Sequence, residues 1–229
     1  MAIVNLTSLN DKLLTNIRHA WSAACGIRPD FKPYTSVRYH DRKLLIYDIV
    51  ERVDDSLEYE DYLTAYKELD IDDLDVKLRS VEHVVPQSKC VDKAATGDPL
   101  GWIIADSVMN SKRSNHPLKL WLDESDIENS LMNIDGERHY VPPASQCARL
   151  ARKWLFVRAT YPNIIPPSHA QYKHRDKIID LVKTYPIQQA ERDFNIEFKK
   201  QYGWSNPLIT NDADRWYSDL EWCNIVFES

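Results

Sequence analysis

Prolines divide much of this chain into short elements, because a proline begins or ends a helix and stops an interior strand. The pair Pro142–Pro143 precedes the strongest helical pattern, residues 144–160, and Pro162 ends it. Pro86 stops a β-prone run. The chain has twelve prolines and only five glycines, and its sequence contains neither G-x-G-x-x-G nor G-x-x-x-x-G-K. This excludes the nucleotide-binding folds that depend on a glycine-rich phosphate loop.

Apolar spacing and β-prone runs predict the remaining elements. Helices are predicted at residues 7–25, 168–184 and 187–201 and in the tail, and strands at 42–50 and 77–86. Residues 102–110 fit helix or strand, and the polar residues 122–138 predict a surface excursion. We therefore expect a mixed α+β fold that is largely helical. No linker is long enough to force two domains, so a single domain over residues 1–229 is predicted.

Acidic residues concentrate in one segment, residues 48–75, which is called the acidic segment below. It holds twelve acidic residues against Arg52 and Lys67, a net charge of −10. The whole chain carries −6, so the remainder carries +4 and can meet a polyanion. The spacing of Tyr59, Tyr62 and Tyr66 predicts an amphipathic helix. Its acidic face is a solvated surface in the ordinary interpretation, with a protein-partner site or an autoinhibitory element as the alternative.

The cysteines and the N-terminus bear on the compartment. The four cysteines are far apart and include no C-x-x-C pair, so a zinc ribbon is not predicted. Scattered thiols fit a reducing compartment better than a disulfide framework. No signal peptide and no apolar membrane-spanning run is visible in the sequence. We expect an intracellular protein without a membrane partner.

Two polar stretches carry the residues best suited to catalysis. The first is Val81–Ser88, in which Glu82 and His83 are adjacent, and the second is Asn110–Asn115. Hydrolysis of a phosphodiester needs an activated water and a cation that offsets developing charge. A histidine is a natural general base near neutral pH. Magnesium prefers oxygen ligands and keeps several waters, so one carboxylate and one amide oxygen can hold it.

These residue types make Glu82 and Asn110 candidate metal ligands and His83 a candidate base. Neighbouring side chains on a regular strand point to opposite faces. Glu82 and His83 can therefore flank one phosphate only if the strand ends or bulges there. Since Pro86 follows three residues later, we predict irregular backbone near His83.

Taken together and in order, the two stretches resemble the endonuclease I family of non-specific nucleases. The motifs E-H-x-x-P-x-S at residues 82–88 and N-x-x-R-S-N at residues 110–115 both match. Asp98 and Asp106 fall where the family pattern has acids. Downstream, the segment from Tyr140 to Arg152 and the segments around Pro186, Glu191 and Asn206–Ile209 resemble the family's later motifs, so the likeness spans roughly residues 40–210.

The resemblance implies a ββα-metal (His-Me finger) core within the helical domain. It implies that Glu82 and Asn110 bind Mg²⁺, with Mn²⁺ or Ca²⁺ as alternatives, and that His83 activates water. The implied substrate is DNA, with RNA as a second one, cut without sequence specificity to leave 5′-phosphate ends. A non-specific nuclease that is not exported endangers its own cell, which suggests a viral or virion-associated protein.

The family carries an arginine between the histidine and the asparagine that contacts the phosphate, and this chain has none there. Arg113, with Lys89 or Lys93, is predicted to take its place in catalysis. Further nucleic-acid contacts are expected from Lys112, Asn115, Lys119, Arg149 and Arg152. The missing arginine and the acidic segment also support an alternative, namely a catalytically weakened member of the same fold that binds nucleic acid or protein.

Overall fold

The structure is a computed structural model that describes residues 6–29, 65–66, 75–161 and 164–228. The predicted strand at 42–50 lies outside these residues. So does the acidic segment, apart from Ala65, Tyr66 and Asp75. The single-domain organisation therefore stays a prediction.

The described residues form a mixed helix and strand architecture, as expected for an α+β fold. The helices are α1 (Leu6–Cys25), α2 (Ser107–Arg113), α3 (Ala144–Thr160), α4 (His169–Lys173), α5 (Arg175–Thr184), α6 (Gln189–Tyr202), α7 (Ala213–Ser218) and α8 (Leu220–Phe227). The strands are β1 (Arg79–His83), β2 (Trp102–Asp106), β3 (Ser130–Ile134) and β4 (Glu137–Val141). The helices predicted for residues 7–25, 144–160 and 187–201 are confirmed, and the one predicted for 168–184 is divided at His174 into α4 and α5.

Helix α3 is buried along nearly its whole length and packs against α1, α5 and α8. Its apolar residues fill the core, and its cations are buried with partners from distant elements. Lys153 donates to the carbonyl of Leu100 (3.2 Å) and Arg158 to that of Val226 (2.9 and 3.1 Å). Since buried charges need such partners, α3 fixes the loop before β2 and the C-terminal helix at the same time.

Strands β1 and β2 form an antiparallel pair that α2 follows directly. The register places Glu82 opposite Ile103 and His83 opposite Trp102. Residues 102–110, which fit either helix or strand in sequence, contain both, because β2 ends at Asp106 and α2 begins at the next residue. The Asp106 carboxylate accepts from the backbone N–H groups of Val108 (2.9 Å) and Met109 (3.0 Å), the geometry of an N-cap.

The second strand pair, β3 and β4, corrects the prediction that residues 122–138 are only a polar excursion. The turn between the strands is Asp135-Gly136, and both residues have positive φ (50° and 87°). An Asp-Gly pair with this geometry is a preferred two-residue hairpin turn. The Asp-Gly dipeptide was the sequence signal for this hairpin. It was missed because the residues of β3 do not alternate clearly between apolar and polar.

The four cysteines are free thiols, and three of them (Cys25, Cys90 and Cys147) are buried. Burial raises the pKa of Cys90 to about 11 and that of Cys147 to about 12. Among the described helices, none is both long and apolar enough to cross a membrane.

Candidate metal and nuclease site

Strand β1 ends at His83, and this end opens into a cleft of about 410 Å³. Val84 still donates to the carbonyl of Gly101 (3.1 Å), after which the chain bends. The irregular backbone predicted near His83 is therefore confirmed. The cleft is lined by residues 81–83 and 86–88 from the first predicted stretch and by Asn110 and 113–115 from the second.

The Glu82 carboxylate is buried at the cleft, and its two oxygens differ. Oε1 accepts from Nη1 of Arg113 at 2.5 Å. Oε2 makes no hydrogen bond to any residue that the structure describes. Burial raises the pKa of the Glu82 carboxyl to about 7, against the lowering effects of the Arg113 guanidinium and the Tyr66 hydroxyl. A divalent cation near Oε2 would lower the pKa of the carboxyl and favour its ionised form, because the positive charge stabilises the carboxylate.

Asn110 is held beside β1 by its amide nitrogen. Nδ2 donates to Oγ of Ser80 and to the carbonyl of Val81, both at 3.1 Å. The Val81 carbonyl can only accept, which fixes the amide orientation. Within the described part of the chain, Oδ1 accepts no hydrogen bond and remains as the second oxygen of the site.

His83 is buried, and its neighbours determine its tautomer. Nε2 lies 3.1 Å from the carbonyl oxygen of Thr96, which can only accept, so Nε2 carries the proton. Nδ1 is then unprotonated and accepts from Nε2 of Gln87 at 3.3 Å. The indole of Trp102 donates to the same Thr96 carbonyl (3.1 Å) and stands against the imidazole, with ring centroids 5.5 Å apart. The imidazole is thus oriented with a basic nitrogen toward Gln87 in the cleft.

The donor set fits a hard divalent cation held mainly by water. No group of three His, Cys, Asp or Glu that could hold a metal occurs among the described residues, so a closed zinc-type site is not supported there. Two protein oxygens with several waters are the usual provision for Mg²⁺. Glu82 Oε2 is buried without a hydrogen-bond partner among the residues that the structure describes. Unpaired buried polar groups are uncommon, and an unpaired carboxylate oxygen at a cleft is a candidate cation ligand.

Arg113, predicted to act in catalysis, is buried between α2 and β1. Besides Glu82, its guanidinium donates to the carbonyls of His83 (3.0 Å) and Val84 (3.3 Å). It lines the cleft, and these donors are bonded to other groups of the protein. The structure therefore gives Arg113 a role in holding Glu82 and the end of β1, and its predicted role in catalysis stays a prediction.

The predicted phosphate contacts differ in their surroundings. Asn115 is exposed and lines the cleft. Lys112 donates to the carbonyl of Asn129 (2.5 Å) and Lys93 to that of Cys90 (2.6 Å), while Lys89 lies 3.7 Å from Glu137. Lys89 and Lys93 follow the first stretch and Lys112 lies within the second, but none of the three lines the cleft.

Three other predicted phosphate contacts are contradicted, because their side chains are buried. Arg152 forms a two-bond ion pair with Glu191 (3.1 and 2.6 Å). Lys119 lies 2.6 Å from Asp126 and 3.1 Å from Asp123. Arg149 is 2% exposed on α3. None of them can reach a nucleic acid in this structure. Lys119 and Arg152 form ion pairs inside the protein, and Arg149 donates to the side chain of Gln146.

The two acids that match the resemblance pattern have structural surroundings here. Asp106 caps α2, as described above. Asp98 is buried and accepts from the Tyr161 hydroxyl (2.7 Å) and the Trp204 indole (3.1 Å). Burial raises the pKa of Asp98, and these hydrogen bonds oppose the rise. Both acids position the elements on either side of β2.

Four residues around Glu82, His83 and Asn110 were not foreseen from the sequence: Ser80, Gln87, Thr96 and Tyr66. Of these, Gln87 lines the cleft. It stood inside the first stretch without a role, and its place next to the candidate base follows only from the bend after β1. Thr96 acts through its backbone carbonyl, which no side-chain pattern can predict.

Comparison with models of known protein families finds no match to this chain, and neither does comparison with curated proteins.

Proposed function

We propose that the chain is a metal-dependent, sequence-non-specific endonuclease that hydrolyses phosphodiester bonds of DNA, with RNA as a second substrate. One observation carries the proposal. Glu82, His83 and Asn110 come from two separate stretches and line a single cleft, each oriented by a specific hydrogen bond. The β1–β2–α2 order is the order of a ββα-metal core, and we propose that the hairpin and helix form such a core.

In this proposal Glu82 Oε2 and Asn110 Oδ1 hold Mg²⁺, or Mn²⁺ or Ca²⁺ in its place. The bound cation would offset the negative charge that develops on the phosphate. Arg113 keeps the Glu82 carboxylate in place. Ser80 and Val81 accept from the amide nitrogen of Asn110, which leaves the amide oxygen as the atom that binds the cation.

The His83 imidazole acts as the general base. With Nε2–H held by the Thr96 carbonyl, Nδ1 is the nitrogen that accepts a proton from water. The 3.3 Å contact from Gln87 to Nδ1 is long, and a water can replace it. The water oxygen forms the new bond to phosphorus and the bond to the 3′ oxygen breaks. The departing 3′ oxygen takes a proton from solvent water, so the products carry a 5′-phosphate and a 3′-hydroxyl.

Incubation of supercoiled plasmid with the wild-type protein, with Mg²⁺ or with a chelator, tests the proposal. We expect nicking and then linearisation with Mg²⁺ and none with the chelator, at similar rates for plasmids of unrelated sequence. Intact plasmid in the presence of Mg²⁺, Mn²⁺ and Ca²⁺ would contradict the endonuclease.

A second function is favoured by the charge of the cleft. Of the described residues that line it, only Arg113 is cationic, and its guanidinium is buried against Glu82. A protein of this kind could bind nucleic acid or a protein partner with little cleavage. Retarded migration of intact plasmid in the same incubation would favour this alternative.

A further inference from the structure

Tyr66 brings the acidic segment into contact with the strand pair of the site. Both Ala65 and Tyr66 are fully buried. The backbone N–H of Ala65 donates to the carbonyl of Ile104 on β2 at 2.9 Å. The Tyr66 ring packs against the Tyr140 ring, with centroids 5.0 Å apart and an interplanar angle of 60°. Ala65 is therefore bonded to the strand residue next to the pair Glu82–Ile103.

The Tyr66 hydroxyl and Glu82 Oε2 are complementary groups, one a donor and the other an acceptor. Each is buried, and by distance and angle neither has a hydrogen-bond partner among the described residues. The backbone bond from Ala65 to Ile104, next to the Glu82–Ile103 pair, holds Tyr66 beside Glu82. Burial first, and then the charge of Glu82, raise the pKa of Tyr66 well above its usual range, while the hydroxyl lowers that of Glu82.

We propose that Tyr66 is a positioning residue of the metal site, whose hydroxyl orients the Glu82 carboxylate for the cation. This inference rests on the proposed metal-dependent function. A carboxylate offers about four lone-pair positions. Arg113 takes a position on Oε1, Tyr66 takes one on Oε2, and the other position on Oε2 is left for the metal. Such outer partners hold metal ligands in one orientation and strengthen binding.

Ala65 and Tyr66 belong to the acidic segment and are both buried in the core, so the proposed role concerns these two described residues of the segment.

The test compares Mn²⁺ binding by full-length wild type, Tyr66→Phe and a control, Tyr217→Phe, using titration calorimetry. Tyr217 is also buried, and its hydroxyl donates to the Leu208 carbonyl (3.2 Å). We expect Tyr66→Phe to weaken Mn²⁺ binding about tenfold and Tyr217→Phe to leave it unchanged. The Mn²⁺ concentration for half-maximal cleavage should rise by a similar factor in Tyr66→Phe, with kcat at saturating Mn²⁺ retained.

Stability separates this role from a structural one. Because the metal-free Tyr66 hydroxyl has no hydrogen-bond partner in the described part of the chain, its removal should leave the denaturation midpoint without metal unchanged or higher, whereas Tyr217→Phe should lower it. Wild-type Mn²⁺ affinity in Tyr66→Phe, or equal weakening in both variants, would overturn the inference. Absence of Mn²⁺ binding by the wild type would overturn the proposed function and this inference with it.

A second measurement uses the wild type alone, in case Tyr66→Phe does not fold. Mg²⁺ binding at Glu82 should perturb the near-ultraviolet tyrosine absorbance over the same concentration range in which calorimetry records binding. Binding without any tyrosine perturbation would contradict the inference.

Discussion

Arg113 shows how a single side chain can organise this site. Its guanidinium reaches the Glu82 carboxylate and two carbonyls at the end of β1, His83 and Val84. The planar fork of donors allows this, and a lysine ammonium on a flexible stem cannot reproduce it. The arginine in the second motif thus holds Glu82, the proposed metal ligand, and its predicted phosphate contact stays a prediction.

We predict that Arg113→Lys lowers the free energy of unfolding by about 1–3 kcal/mol, because two or more buried acceptors lose their donors. Urea denaturation measures this. Lys112→Arg, a change at the exposed neighbouring position, is the control and should be neutral. Equal stability of Arg113→Lys and wild type would show that the guanidinium does not hold the end of β1.

At the scale of elements, the position of Asn110 depends on where α2 begins. Asp106 ends β2 and caps α2 through the N–H groups of Val108 and Met109. Asn110 stands one turn further on, tied to Ser80 and Val81 of β1. The cap therefore determines the position of the Asn110 amide along β1 relative to the Glu82 carboxylate.

We predict that Asp106→Ala costs about 1 kcal/mol of stability through loss of the cap and also weakens Mn²⁺ binding. Asp106→Asn, which keeps an acceptor for the same N–H groups, should restore most of both. Thermal denaturation and calorimetric Mn²⁺ titration of the two variants check this. Metal binding that is weakened equally by Asn and Ala would point to the charge of Asp106 and not to the cap.

The elements also show what sequence patterns could and could not predict. Helix α3 was predicted at the observed bounds, because its prolines and spacing are local signals. Its Arg149 and Arg152 were predicted to contact nucleic acid, which requires exposed side chains. Their burial depends on partners such as Glu191, which is 39 residues from Arg152. Such long-range pairing is not visible in a local pattern.

In the candidate site, too, some residues could be predicted from the sequence and others could not. Glu82, His83 and Asn110 were chosen by residue chemistry and motif spacing, and the structure brings all three to one cleft. The orienting groups, above all the Thr96 carbonyl and Tyr66, come from turns and from a distant segment. Their contribution depends on tertiary contacts that periodicity does not encode.

At the scale of the whole molecule, buried ionisable groups should shape the dependence of stability on pH. Burial lowers the pKa of Lys153 to about 7, and the nearby charge of Arg149 adds to this. In the unfolded chain the lysine has its usual pKa, 10.5. Between these values the unfolded state binds more protons than the folded state, so this group makes stability rise with pH.

We predict that Lys153→Met flattens this rise, which for one group reaches at most about 1.4 kcal/mol per pH unit. The free energy of unfolding should be compared for both proteins between pH 7.5 and 8.5 by urea denaturation. The four thiols, whose ordinary pKa is about 8.5, contribute equally to both proteins, so the difference in slope reports on Lys153. A wild-type slope that the substitution does not change would show that Lys153 is not the group responsible.

The most direct measurement of the central claim is metal-dependent cleavage by His83→Ala beside its Mn²⁺ binding. His169→Ala, at an exposed histidine on α4, is the matched control. Loss of the general base should reduce plasmid cleavage by at least about 100-fold with Mn²⁺ affinity close to wild type, and His169→Ala should cleave normally. Because removal of the buried His83 imidazole also lowers the denaturation midpoint, cleavage is measured well below that midpoint. Cleavage by His83→Ala at the wild-type rate would contradict the assignment of this cleft as the nuclease active site.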